Sequence, residues 1–177
     1  MLPPLSESRI ISAAGESMDA FLSLITDTLL DALGGELNAQ NMSELNGDQT
    51  TLLAYRMFRD EVLDGGFVQL IHNGLGPFIF LNPFAKAIRL WGEDVETEGG
   101  TTFLHDFSRL IYKGRKLFEK YGEELTRSCT DDEFMALFEQ YPDFDELDDT
   151  FIENEEAITT FIAHYVDDHL DRFVTVE

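Results

Sequence analysis

The amino-acid sequence predicts an all-α protein, a single-domain helical bundle of about six to eight helices over residues 1–177. Three observations support this prediction. Apolar residues recur three and four positions apart in several long segments, which is the spacing of one helix face. Glycine and proline pairs separate these segments, and only one short stretch fits a β-strand. Hydrophobic residues make up 44% of the chain and include 15 Phe, so a sizeable core is available despite a high charge.

Two helices are predicted in the first part of the chain. The earlier one carries Phe21 and Ile25 on one face and ends at residues 34–35, which are both glycine. The later one begins at Asp48, which we expect to cap it, and runs to about residue 64, just before a second glycine pair.

The middle of the chain is interrupted by glycine and proline. Residues 67–73 form a short apolar segment, and residues 78–81 fit a strand for which the sequence supplies no partner. Asn82 is expected to cap a further helix, which has Pro83 at its first position and runs to about Trp91.

The last part of the chain predicts three more helices. After an acidic, glycine-rich loop at residues 93–100, residues 102–121 show an apolar stripe along one helix face. Thr130 and Glu133 then form a capping box at the start of a helix that a proline ends. A final helix is expected over about residues 153–170.

Charge is the feature that bears most directly on function. The chain has 35 Asp and Glu against 12 Lys and Arg, a formal net charge of −23. Residues 130–177, the most acidic region, contain 16 of these acids and one basic residue, Arg172. Such a field excludes nucleic acid and anionic membranes as partners and attracts basic proteins. The predicted partner-binding surface consists of exposed carboxylates in this region: Asp131, Asp132, Asp143, Asp145, Glu146, Asp148, Asp149, Glu153, Glu156, Asp167 and Asp171.

Side chains that could support catalysis or metal binding are few. The best metal candidates are His164, Asp168 and His169, but His169 falls about 140° away from His164 around a helix. A dedicated metal site needs three or four converging ligands, so a solvated polar helix face is the favoured interpretation. A hydrolytic site would pair His72 with Glu61 or Asp64, and no convergent pattern supports it. We therefore predict a protein that is not an enzyme and holds no cofactor.

One row of basic residues stands out in the acidic sequence. Arg109, Lys113, Lys116 and Lys120 follow each other at spacings of four, three and four, which places them on one helix face. The row could contact a small anion or a nucleic acid. Alternatively, it neutralises acidic helices within the fold or across a dimer. The second interpretation is favoured because the surrounding negative field repels polyanions.

The expected location follows from what the sequence lacks. Met1 to Pro4 shows none of the basic and then apolar pattern of a signal peptide, and no apolar run approaches the roughly 20 residues that cross a bilayer. The single cysteine, Cys129, cannot form an internal disulfide. A cytoplasmic protein is expected.

A glycine-rich motif within residues 53–91 carries a resemblance to a known family. Residues 61–73 read EVLDGGFVQLIHN, and GLGPF and NPFA follow at residues 74–78 and 82–85. This pattern resembles a small bacterial family that contains a dimeric DNA-mimic protein. We expect Gly65 and Gly66 to stop a helix, Phe67 to fill the core, and Gln69 and Asn73 to satisfy backbone groups at the turn.

The resemblance implies a helical fold, a homodimer, and binding to a helix-turn-helix transcription factor, which the mimic keeps off its operator. The charge is of the right order, since 23 charges correspond to about 39 Å of duplex and a chain of this length has a diameter of about 40 Å. The first hypothesis is therefore a DNA mimic that blocks a basic DNA-binding protein. The alternatives are an immunity-type inhibitor of a basic toxin or nuclease and, third, a metal-dependent enzyme.

Overall fold

Eight α-helices dominate the computed structural model, which describes all 177 residues. Three short 3-10 turns, at Asn41–Glu44, Pro142–Phe144 and Leu170–Arg172, complete the helical part. Two residues at each end of the chain form a small parallel pair of strands. In chain order, the elements are β1 (Pro4–Leu5), α1 (Glu7–Glu16), α2 (Met18–Ala32), α3 (Gly47–His72), α4 (Gly76–Phe80), α5 (Phe84–Asp94), α6 (Gly100–Leu125), α7 (Asp131–Gln140), α8 (Asp145–Asp168) and β2 (Thr175–Val176).

The three longest helices, α3, α6 and α8, pack against one another, and shorter helices lie around them. Helix α2 contacts α8, whereas α4 and α5 contact α6. Phe58 lies at the centre, with its ring centroid 4.9 Å from that of Phe151 and 5.3 Å from those of Phe67 and Phe107, all edge to face. The hydrophobic periodicity of the sequence therefore brings one face of each long helix to a shared aromatic core.

Helix α3 is broken in the middle by the glycine pair of the motif. Gly66 has φ +73° and Gly65 has φ −151° with ψ 17°, so neither residue is helical. A side chain at Gly66 would be strained at this φ, and its Cβ would lie 2.4 Å from Oδ2 of Asp148. The predicted helix stop at residues 65–66 is confirmed, and the fully buried Phe67 begins the second half of the helix.

Several predicted element boundaries are wrong. Helix α1 was not predicted, residues 67–72 form the second half of α3, and residues 78–80 belong to the short helix α4 rather than to a strand. Helix α8 starts at Asp145, so residues 145–149 of the acidic run after Pro142 form its first turn. The start of α8 was missed because acidic residues outnumber apolar ones there and obscure the helical period.

Two predicted helix caps are also wrong. Asn46, not Asp48, caps α3, since its side chain accepts a hydrogen bond from Gln49 N in a capping box. Asp48 instead accepts a hydrogen bond from Trp91 Nε1 at 2.8 Å. Asn82 donates to Phe78 O and does not cap α5. The capping box of Thr130 and Glu133 at the start of α7 is confirmed.

The two ends of the chain meet. Thr175 N donates to Pro3 O at 2.9 Å and Glu177 N donates to Leu5 O at 3.0 Å. The buried amide of Gln49 donates to both Met1 O and Phe173 O, at 2.7 and 2.9 Å. None of the helices combines the length and the apolar character that crossing a bilayer requires.

Candidate partner-binding surface

Six of the predicted carboxylates share one exposed face of α8. At 100° per residue, they fall within an arc of about 100° around the helix axis. All six are exposed, and none forms an ion pair within the chain. We call this set the α8 acidic stripe: Asp145, Glu146, Asp149, Glu153, Glu156 and Asp167.

The opposite face of α8 holds the stripe in place. Leu147, Phe151, Ile158 and Ile162 are buried on it and join the aromatic core. Burial of four large apolar side chains along one helix fixes the rotation of that helix about its axis. The six carboxylates of the stripe therefore face solvent.

Charge is densest in the first half of the stripe. From Asp145 to Glu156, five carboxylates span about 16 Å of helix, which is a mean axial interval of about 4 Å. Asp145 and Glu146 lie in the first turn, where negative charge also stabilises a helix through its dipole. That effect fades within one turn, so helix stability does not explain Glu153 and Glu156.

The other predicted carboxylates are not on this stripe. Asp131 and Asp132 are exposed in the first turn of α7, and Asp171 lies in the 3-10 turn after α8 rather than on the last helix. Asp143 accepts a hydrogen bond from Tyr121 OH at 3.0 Å and lies 3.8 Å from Lys120 Nζ. The structure therefore brings six of the eleven residues together, and Asp143 is engaged within the fold.

Asp148 faces the interior. Its carboxylate is half-buried, and Oδ1 accepts a hydrogen bond from Phe67 N at 2.8 Å, just after the break in α3. Burial raises the pKa of Asp148 to about 6, and the nearby Asp145 and Asp149 act in the same direction, whereas the hydrogen bond from Phe67 opposes the shift. This residue caps a backbone group of α3, which corrects its prediction as an open surface contact.

Two more motif residues act differently from their prediction. Gln69 Nε2 donates to Glu61 Oε2 at 3.0 Å and to Asp64 Oδ2 at 2.7 Å, and Asn73 Nδ2 donates to Glu61 at 2.9 Å. Both amides therefore satisfy carboxylates of α3 rather than backbone groups. These hydrogen bonds connect side chains before the break at Gly66 with side chains after it.

The basic row on α6 is only partly neutralised within the chain. Arg109 pairs with Asp106 of its own helix at 2.7 Å, and Lys120 approaches Asp143. Lys113 and Lys116 form no ion pair. The row therefore leaves the α8 acidic stripe free, because its one carboxylate partner among the predicted residues is Asp143.

The metal and hydrolytic candidates are not assembled into sites. No three His, Cys, Asp or Glu side chains lie close enough to hold a metal ion. His169 Nδ1 lies 2.8 Å from Tyr165 O, and its ring stacks on that of Tyr165. His72 Nδ1 lies 2.8 Å from Leu125 O, away from any hydrogen bond with Glu61 or Asp64. These histidines are engaged in packing and in contacts with the backbone.

Further carboxylates lie on elements that the sequence did not connect with the acidic region. Helix α2 packs against α8, and helices α1 and α2 carry the exposed and unpaired Glu16 and Asp31, respectively. Asp19 and Asp27 of α2 pair with Arg59 and Arg56 of α3. No local sequence pattern could reveal that α2 lies beside α8, since this contact depends on packing between helices far apart in sequence.

Comparison with known proteins identifies the family. A family model described as DMP19-like protein matches residues 43–169, which include α3 to α8 and the whole acidic stripe. The chain is also 28% identical over 138 residues to a protein of Neisseria meningitidis serogroup B (strain ATCC BAA-335 / MC58) that is named DNA mimic protein DMP19. That alignment covers 77% of this chain and 77% of the relative. Because the family model matches more than two thirds of this chain, the chain belongs to the DMP19-like protein family.

Proposed function

We propose that this protein is a DNA mimic that occupies the DNA-binding surface of a basic protein and blocks its access to DNA. The name of the Neisseria meningitidis relative supports mimicry, and the net charge of −23 supports a basic partner. The family resemblance favours a helix-turn-helix transcriptional regulator as that partner and a homodimer as the active form, and the cytoplasm is the location expected from the sequence. Binding, rather than catalysis, is the proposed activity.

The linear charge density of the α8 acidic stripe is the observation that carries the proposal. Each strand of B-DNA presents one phosphate per roughly 3.4 Å of axis, and the first half of the stripe presents carboxylates at a mean axial interval of about 4 Å. A basic surface that tracks one DNA strand would therefore meet charges at a similar interval. These carboxylates are also exposed and unpaired, so the chain itself does not neutralise them.

Long-range attraction should steer the two proteins together and should weaken with salt. An affinity pull-down from the native cytoplasm, eluted with salt, would identify the partner. We expect a helix-turn-helix regulator in the eluate. A toxin or nuclease in its place would instead support the immunity-type alternative.

The stripe itself is tested with two triple variants of equal charge change. Asp149→Asn, Glu153→Gln and Glu156→Gln together remove three stripe charges. The matched control, Glu96→Gln with Glu98→Gln and Glu123→Gln, removes three exposed charges elsewhere. Binding of the captured regulator, measured by calorimetry, should weaken at least about tenfold for the stripe variant and no more than about threefold for the control. Equal losses, or an affinity that does not change with salt, would contradict the proposal.

A further inference from the structure

A cavity of about 370 Å³ lies between α6 and α8, beside the stripe but not on it. Its apolar lining comes from Phe103, Phe107 and Leu110 of α6 and from Ile158 of α8. Arg109, Lys113 and Asp106 line the same cavity, and all three are exposed, so the cations exceed the carboxylates there by one. A volume of this size falls within the range of small-molecule pockets, which are typically about 300–1,000 Å³ and combine apolar walls with a few polar groups.

Of the two cations at this cavity, only Arg109 has an ion-pair partner within the chain. Lys113 has no ion pair although the chain contains 35 acidic residues, and Arg109 pairs only with Asp106 of its own helix. Arg109, Lys113 and Lys116 follow at helix spacings of four and three, where like charges repel and weaken a helix. A local excess of positive charge therefore remains beside an apolar cavity in a strongly acidic protein.

The apolar part of the cavity is partly open to solvent. Phe103 is only half-buried, and its ring centroid lies 5.4 Å from that of the buried Phe161. Leu110 and Ile158 are almost fully buried and form the floor of the cavity. A ligand that covered Phe103 would remove apolar surface from water, which stabilises binding.

We propose that this cavity binds a small amphipathic monoanion, such as an aliphatic or aromatic carboxylate. The apolar part of the ligand packs on Phe103, Leu110 and Ile158, and its carboxylate pairs with Lys113 and Arg109. A single negative charge fits this site better than a polyanion, because the field of the whole protein repels high negative charge. Lys113 and Arg109 also fix the orientation of the ligand, with its carboxylate toward α6.

The test uses octanoate as the probe and octan-1-ol as its uncharged counterpart. Binding of each is measured by two-dimensional amide NMR of the full chain. Octanoate should shift the amide signals of Phe103, Leu110 and Ile158 in a saturable manner, with an affinity at least about fivefold higher than that of octan-1-ol. The proposal is overturned if octanoate leaves these signals unchanged at millimolar concentration, or if the alcohol binds equally well.

Three variants separate a specific site from a general charge effect. Lys113→Gln should weaken octanoate binding about fivefold or more, whereas Lys86→Gln, which removes an exposed and unpaired cation outside the cavity, should leave it unchanged. Thr150→Trp fills the cavity from an exposed position and should abolish binding while the fold is kept. Equal losses for the two lysine variants, or full binding to the tryptophan variant, would contradict the site.

Discussion

At the scale of single residues, Asp148 shows how an acid can be necessary to the fold and still destabilise it when charged. Its Oδ1 accepts the Phe67 N–H that the break at Gly66 leaves without a helical partner. The pKa of about 6, against an ordinary value of 3.8, means that the folded chain holds this proton more tightly than the unfolded chain does. The contribution of Asp148 to stability is therefore greatest below about pH 4, declines as the pH rises to about 6, and is constant above that.

We expect Asp148→Asn to be more stable than the unmodified chain at pH 7.5. The amide keeps an acceptor for Phe67 N and removes a half-buried charge, so the free energy of unfolding should rise by about 1–2 kcal/mol, allowing for solvent screening. The difference should shrink toward zero at pH 4, where the native aspartate is protonated. Urea unfolding at several pH values measures both quantities.

Asp148→Ala is the informative partner of this variant. It leaves the Phe67 N–H unpaired, so it should be less stable than Asp148→Asn by about 1–3 kcal/mol at every pH. If the alanine and asparagine variants were equally stable, the hydrogen bond to Phe67 would have no energetic role.

At the scale of elements, α7 differs from the other seven α-helices because none of its residues is buried. Its contacts are peripheral, such as the Phe134 ring, whose centroid lies 4.8 Å from that of His72. Local stability must then depend more on the capping box, in which Thr130 Oγ1 accepts from Glu133 N and Glu133 Oε2 accepts from Thr130 N. The hydrogen bond from Thr130 N holds the pKa of Glu133 below its usual value.

Removal of the cap should therefore loosen α7 without unfolding the protein. We expect Thr130→Ala to lower the opening free energy of α7 by about 1 kcal/mol, which corresponds to amide hydrogen exchange about fivefold faster within that helix. Ser128→Ala removes a nearby exposed hydroxyl that makes no hydrogen bond and should leave the exchange unchanged. Faster exchange throughout the core would show instead that the cap supports the whole fold.

At the scale of the whole molecule, the net charge of −23 destabilises the folded state, because the negative charges repel one another. A few ion pairs that connect helices reduce this repulsion. Arg59, for example, pairs with Glu155 of α8 and with Asp19 of α2. Burial works against the charged form of Arg59, but these two carboxylates raise its pKa. Most acids have no such partner.

Salt should therefore stabilise the free protein even as it weakens partner binding. We expect the melting temperature to rise by about 3–6 °C between 10 mM and 500 mM NaCl, because screening reduces repulsion by about 1–2 kcal/mol. Differential scanning calorimetry measures the shift, with KCl as the control for a specific ion effect. At pH 4, where fewer carboxylates are charged, the shift should be smaller. A melting temperature that falls with NaCl would show that self-repulsion is not the main electrostatic influence on stability.

Helices α2, α3 and α6 were predicted because their apolar residues repeat at helical spacing, and the break at Gly66 was predicted because only glycine suits that conformation. Helix α1 was missed, and so were the first two turns of α8. These segments contain few apolar residues, so tertiary contacts and not local periodicity decide their conformation.

The sequence by itself determined the helical class, the excess of acid and its concentration after residue 130, because periodicity and composition are local properties. Only the tertiary structure decided which acids are free to meet a partner. Asp148 and Asp143 turn to Phe67 and Tyr121, which lie 81 and 22 residues away, whereas Asp149, Glu153 and Glu156 stay exposed. The physical reason is that burial and pairing depend on which distant side chains the packed helices bring within hydrogen-bond distance.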